Sequence, residues 1–448
     1  MKQTDLRAIA SRAVQTAQKS GATMSESYLL NSKELTIEVA SGQVETMKLA
    51  EDRGIGIRVI KDGRIGFAYS SDLSDQAVDE MITQAMANSE KTTADEYNVL
   101  PKPGGNFPAL DIFDPKIRQA TVEAKIAMAK EIESIARGYD PRVKITETSA
   151  YSDAEYDVVI ANSEGFCEGY QGAYCAAYAM LVAEENGDNQ TGFGFQYDLK
   201  YANLNPQKIG EDAAKKAVQM LGAKTIATQR ATIVLDPQVA TSFLGVLAPA
   251  ITAEAVQKGR SLFAGKVGQK VAAPGITLID DGTMPNAIMS APFDGEGVPT
   301  SKTVLIEQGE LKGFLHNTYT AAKAGVQSTG NGMRGSFKGT PEVGVTNFYI
   351  APGTVSRESL IKGIPSGLYI TEVMGMHTAN PISGDFSVGA AGIWIENGEF
   401  SYPVRGVALA GNILELLQSV EVVADDLTFM GSKGSPTIQI AKMSLSGS

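Results

Sequence analysis

Beyond Thr232, short apolar runs separated by Gly, Pro and Asn-Gly turns replace the helical spacing that governs much of the chain before it. The runs fall at 233–235, 276–279, 303–306, 347–350, 392–395 and 404–409. Runs this short, punctuated by turn residues, read as strands of a barrel or sandwich. Helical spacing persists there only over about 238–258 and briefly near 319–324 and 356–362. Upstream, Leu6, Ile9, Ala10, Ala13, Val14 and Ala17 recur at helical intervals, with Thr4 or Asp5 to cap the start and Ser20-Gly21 to stop it. The spacing predicts further helices over 74–88, with Val78, Met81, Ile82, Ala85 and Met86 on one face, over 117–136, and over 206–221. In the third helix Val122, Ile126, Ala129 and Ala136 face inward. Strands are expected at 27–30, 35–39, 143–151, 155–162 and 166–184, and a hairpin around Lys61-Asp62-Gly63 joins 54–60 to 64–70. The sum is an α+β chain: an N-terminal α/β domain over 1–225, then a β-rich C-terminal domain, barrel or sandwich, over 226–448. A length of 448 residues favours two cores over one. Residues 89–116, with four prolines, read as one long loop.

Charge removes several function classes. The formal net charge is −12, and no basic stripe offsets it, so nucleic acid is an unsuitable partner. The chain starts on polar residues, Met1 to Asp5, and contains no run of about 18 apolar residues, so no membrane role is expected. The two cysteines, Cys167 and Cys175, lie on one expected strand, where eight residues separate them by roughly 27 Å, beyond disulfide reach. Free thiols fit a reducing cytoplasm.

The chemistry-bearing residues are sparse. Only two histidines occur, His316 and His377, and H-E-x-x-H, C-x-x-C, G-x-S-x-G and P-loop patterns are absent. A metal at His377 would need carboxylates such as Glu372, Asp294 or Asp385. Acidic Gly-rich segments recur at 280–283, 294–297 and 383–386, which fit either a carboxylate-lined cleft or hairpin turns. Ser328-Thr329-Gly330-Asn331-Gly332 offers backbone donors to an anion or a peptide, or is simply a turn. Asp294, Glu296, Asn331, His377 and Asp385 are the candidates for a peptide cleft.

Taken in order, Phe293-Asp294-Gly295-Glu296-Gly297-Val298-Pro299-Thr300, Ser328 to Gly332, Gly384 to Gly392 with Trp394 to Glu399, and Ala410-Gly411-Asn412 resemble the TldD/PmbA family, also called modulator of DNA gyrase. The likeness spans nearly the whole chain and is closer to the PmbA (TldE) branch. It implies a two-subunit metallopeptidase acting on unfolded or small peptides, in which a TldD-like subunit binds zinc through an H-E-x-x-x-H helix and a distant cysteine. On this resemblance the histidine helix aligns with 245–254, where Pro249 stands for the first histidine, Ala250 for the glutamate and Glu254 for the second histidine. Met430 stands for the cysteine. Proline and alanine cannot ligate zinc and a thioether is a poor ligand for it. The resemblance therefore implies no catalytic or metal residue in this chain, no cofactor of its own, and zinc in a TldD-like partner. The assembly is a heterodimer with that partner or a homodimer. The alternatives are a hydrolase built on an unrecognised site, such as His377 with Asp385 or a carboxylate metal site, and a homodimeric binding module.

Overall fold

The computed structural model describes residues 3–447; the polar start at Met1 and Lys2 lies outside them. Helix α1 (Gln3–Lys19) leads into strands β1 (Met24–Ala40), β2 (Gln43–Lys61) and β3 (Arg64–Ser70). Helices α2 (Asp75–Ser89), α3 (Pro115–Gln119) and α4 (Val122–Tyr139) follow, then strands β4 (Val143–Asn162), β5 (Cys167–Glu185) and β6 (Asp188–Asp198) and helix α5 (Pro206–Gln219). These strands form one antiparallel sheet, ordered β3-β2-β1-β4-β5-β6.

Side chains alternate across a strand, so β1 serves two layers at once. Leu29, Leu35, Ile37 and Val39 bury against the helices. Helices α1 and α2 cover one end of that face through Leu6, Ala10, Ala13, Val78 and Ile82, and α4 and α5 cover the other through Ala129, Ile132, Ala213 and Ala214. Tyr28 points the opposite way and packs with Phe166, Phe293 and Phe337, which joins the sheet to the second half of the chain.

Two details depart from the sequence expectation. The helix expected over 117–136 is broken, because Thr121 turns extended and its side chain caps Ala124 N–H to start a new helix. Val122, expected inside, is consequently in the first turn and 38% exposed. The helix expected over 238–258 also breaks, at Pro249, which lacks an N–H and ends α6 (Pro237–Leu247) in a 3₁₀ turn. Thr252 then caps α7 (Ala253–Gln257).

The second half opens with β7 (Gln229–Leu235), ahead of α6 and α7. After α7 come β8 (Leu278–Asp281), β9 (Lys302–Glu307), β10 (Glu310–Leu311), α8 (Thr318–Ala324), β11 (Gly332–Met333), β12 (Glu342–Val343) and β13 (Phe348–Ile350). Then follow α9 (Arg357–Lys362), β14 (Ser366–Met374), β15 (Asp385–Glu396), β16 (Glu399–Asn412) and α10 (Ile413–Gln418). The last strands are β17 (Val420–Val423), β18 (Thr428–Met430), β19 (Lys433–Ser435) and β20 (Ile438–Ser446). Strands β16-β15-β14-β7-β20 close on themselves through β16–β20 pairing, so the β-rich half contains a closed five-stranded barrel. A second sheet runs β10-β9-β8-β13-β19-β18. Helix α6 touches strands of both, and its Phe243, Leu244 and Leu247 join the common core.

Residues 90–114 carry no helix or strand but are tied down. Phe107 stacks edge-on against Phe293 at 5.4 Å, and Asp95 accepts the Tyr319 hydroxyl at 2.8 Å.

Candidate functional site

The acidic Gly-rich motif at 294–297 lies where the two halves meet, and it is closed to solvent. Glu296 is 0% and Asp294 5% exposed. Arg58 on β2 donates from one nitrogen to Glu26 at 2.9 Å and to Glu296 at 3.1 Å. Arg334 donates to Glu26 from the other side, to the Gly295 carbonyl at 2.7 Å, and stacks over Tyr28. The second Glu296 oxygen accepts the Thr318 N–H at 2.8 Å. Two arginines and two glutamates thus balance in a buried cluster that spans both halves. Asp294 accepts three backbone N–H groups, from Glu296, Val298 and Gly332. Burial and the neighbouring Glu296 charge nonetheless push its carboxyl well up.

The 328–332 loop is likewise turned inward. Ser328 and Thr329 hydroxyls donate to the His316 carbonyl, both at 3.1 Å, and Asn331 donates to Asp280 at 2.7 Å. The backbone donors that sequence offered to an anion are taken internally: Gly332 N–H by Asp294 and Gly330 N–H by Ser328. Asp294, Glu296 and Asn331 are therefore buried, and Glu296 ties the second half to the first through Arg58.

Asp280 also accepts the Thr346 N–H at 2.7 Å and hydroxyl at 2.8 Å. Burial pushes its carboxyl up from 3.8 to about 6, against the pull of those hydrogen bonds. The folded chain thus holds a proton at pH values where the unfolded chain has lost it. Stability from this group is complete below its unfolded value near 3.8 and is lost as pH rises through about 6. The total loss is roughly 3 kcal/mol. Urea unfolding between about pH 4 and pH 7 checks this: the slope should be shallower in Asp280→Asn than in the wild type, the raised Asp294 carboxyl keeping part of it, and an equal slope in the variant would assign it elsewhere.

His377 and Asp385 sit apart from that meeting of the halves, His377 on the exposed loop between β14 and β15 and Asp385 at the start of β15. Asp385 accepts the Ser383 hydroxyl at 2.7 Å and the Asn412 amide at 2.9 Å, so both its oxygens are engaged and its carboxyl is held below the usual range. Glu372 lines a separate cavity of about 210 Å³ with Lys216 and Gln238.

An open cleft of about 600 Å³ lies elsewhere, along α6 and α7, and the remaining candidates converge on it. Pro249 and Glu254 line it, and Ala250 lies beneath, 1% exposed. Met430 pairs across strands with Lys433, which also lines the cleft. The loop carrying His377 contributes Pro381 and Ile382. Glu254 and the 340–345 segment also border a second cavity of about 440 Å³, lined by Arg58, Thr92, Asp95 and Tyr319. The two cavities adjoin at Glu254, and residues of both halves line the second. Within that shared wall β12 pairs only with β11 among the described residues, which leaves its other edge without a strand.

The donor set in the cleft does not suit zinc. Only Glu254 has an ionisable oxygen, and Lys258 donates to it. Lys433 stands beside the Met430 position with its stem against Gly245, so the wall presents an ammonium where a cation would need anionic donors. Among the described residues, no group of three or more His, Cys, Asp or Glu could hold a metal. Sequence reading missed Lys258, Arg260 and Lys433 as cleft residues. Only Lys258 carried a signal, its helical spacing from Glu254.

Comparison with known proteins places this arrangement. Residues 228–447 match the PmbA/TldA metallopeptidase C-terminal domain, 115–221 its central domain and 26–89 its domain 1. The chain is 29% identical to the metalloprotease PmbA of Escherichia coli O157:H7, over 92% of this chain and 90% of that one. A modulator of a DNA gyrase from Thermotoga maritima is similar in structure, with a TM-score of 0.91 and 30% identity over 98% of this chain and 100% of that one. TldE from Thermococcus kodakarensis also superposes at a TM-score of 0.91, with 27% identity over 98% and 100% of the two chains.

Proposed function

Because the chain belongs to the PmbA/TldD metallopeptidase family, we propose that it is the peptide-binding, non-hydrolysing subunit of a two-chain cytoplasmic peptidase whose zinc resides in a TldD-like partner. The observation that carries this reading is the chemistry of the cleft. Pro249, Ala250 and Met430 supply no ionic ligand, Glu254 is paired with Lys258, and Lys433 faces the same space. A bound divalent cation there would meet a net positive wall, and a hydrolytic water would have no general base beyond a carboxylate already paired. The cleft adjoins a second cavity at Glu254, and the edge of β12 that carries no strand among the described residues offers backbone groups to an extended peptide by strand addition. The relative from E. coli carries the name metalloprotease; what assigns hydrolysis to the other chain in this reading is the donor set of this chain's cleft. The net charge of −12 gives no support to DNA contact.

A hydrolase centred on His377 is not favoured, since both Asp385 oxygens are engaged by Ser383 and Asn412. The test is cleavage of an unfolded, labelled peptide by this chain alone, by a TldD-like chain alone and by the mixture, with bound zinc quantified in each. Cleavage and zinc are expected in the mixture and not with this chain alone. Chelator-sensitive cleavage by this chain alone would overturn the assignment.

A further inference from the structure

We propose that the basic end of the cleft is a subsite for the C-terminal carboxylate of a bound peptide, a reading that rests on the peptide-binding role above. The lining brings three cations, Lys258, Arg260 and Lys433, against a single carboxylate, Glu254, an excess of two positive charges in a chain of net charge −12. Lys258 is neutralised by Glu254. Arg260 and Lys433 are not: among the described residues the Lys433 ammonium donates to the Ser432 hydroxyl at 3.3 Å, and neither residue enters an ion pair. Two cations without an ion pair among the described residues, lining one concave site in an acidic protein, form a local trap for an anion.

The fold places the two deliberately apart in sequence and together in space. Lys433 comes from β19, and the absence of a side chain at Gly245 lets its stem lie along α6, with Cε 3.7 Å from where a Cβ would stand. Arg260 follows α7, whose start is set by the Pro249 break and the Thr252 cap. The rest of the wall is mostly apolar, with Ala248, Pro249, Val345 and Ile382, and the Thr252 hydroxyl is taken up by the Pro249 carbonyl and the Ala255 N–H. Such a wall reads no particular side chain. It suits a group present on every peptide, and the C-terminal carboxylate is that group. A guanidinium and an ammonium bind a carboxylate through charge-assisted hydrogen bonds.

The experiment is fluorescence anisotropy with the full chain and one N-terminally labelled unfolded peptide in three forms: free C-terminal acid, C-terminal amide, and free acid with its internal Glu residues changed to Gln. The free acid is expected to bind roughly ten-fold tighter than the amide, with the Gln form matching the free acid. Arg260→Gln with Lys433→Gln is expected to bring the free acid down to the amide's affinity while the amide's own affinity and the melting temperature stay unchanged. Equal, measurable binding of acid and amide would overturn the carboxylate subsite and leave the peptide-binding role standing. A loss confined to the Gln form would assign the cations to acidic side chains and overturn the proposal. Failure of all three forms to bind would overturn the peptide-binding role and the subsite together.

Discussion

Glu296→Ala is expected to lower the unfolding free energy by about 3–5 kcal/mol, the range for removing one partner of a buried ion pair. The cause is what the substitution strands. Arg58 is buried on β2 and its one engaged nitrogen bridges Glu26 and Glu296. Without Glu296, two buried guanidinium groups, Arg58 and Arg334, face a single carboxylate, Glu26. The Thr318 N–H at the start of α8 also loses its acceptor. Both halves of the chain feel the change, because Arg58 and Glu26 belong to the first sheet and Glu296 and Arg334 to the second half. Urea denaturation measures it, with Glu51→Ala as the comparison. That residue pairs with Lys33 in solvent, where an ion pair contributes about 0–1 kcal/mol. Replacing Arg58 and Glu296 together by Met should recover part of the loss, since no unpaired charge remains. A Glu296→Ala cost no larger than the Glu51→Ala cost would mean that water reaches the cluster.

The elements legible in the sequence are those whose signals are local. Helix α1 and helix α2 followed from apolar spacing, and Ser74 caps α2 through Ala77 N–H. The β2–β3 hairpin followed from Lys61-Asp62-Gly63, where Asp62 and Gly63 both take positive φ. The break in the long helix was written as Pro249 followed by Thr252, yet the apolar spacing of 238–258 concealed it. Barrel closure was not legible, since it rests on a short register between β16 and β20, Ala408 with Ser446 and Leu409 with Leu445. The role of the 294–297 motif was hidden for the same reason. Its turn chemistry is local, but the partners that define it, Glu26 and Arg58, stand in another sheet. The cleft was half legible: the resemblance pointed to Pro249, Ala250, Glu254 and Met430, and nothing in the local pattern pointed to Lys433 in the same cleft.

Glycines taught the same lesson from the other side, and they supply the second large expected effect. Read as turns and corners, several instead lie inside strands where a helix backbone comes close. Gly192 and Gly194 on β6 are the clearest pair. A Cβ on Gly192 would overlap the Ala213 carbonyl oxygen and stand 2.5 Å from Ala217 N and 2.9 Å from Ala217 Cβ. On Gly194 it would overlap the Ile209 carbonyl oxygen and stand 2.9 Å from Ala213 N. Helix α5 rests directly on these two positions, and its Ala213, Ala214 and Ala217 are fully buried. Nothing flexible can move aside, because the atoms met are backbone and Cβ. Gly192→Val must therefore lift α5 from the sheet and open its contact with α4, at a cost of about 3 kcal/mol or more, the upper end for overpacking. Gly313→Ala is the control, since nothing lies within 4 Å of a Cβ there. It is expected to leave stability within about 1 kcal/mol of the wild type. Hydrogen exchange along α5 reads the effect directly: faster exchange confined to 206–219 in Gly192→Val supports a lifted helix. Protection equal to the wild type would mean that the sheet, not the helix, gives way, and that the close approach of α5 to β6 does not hold this layer together.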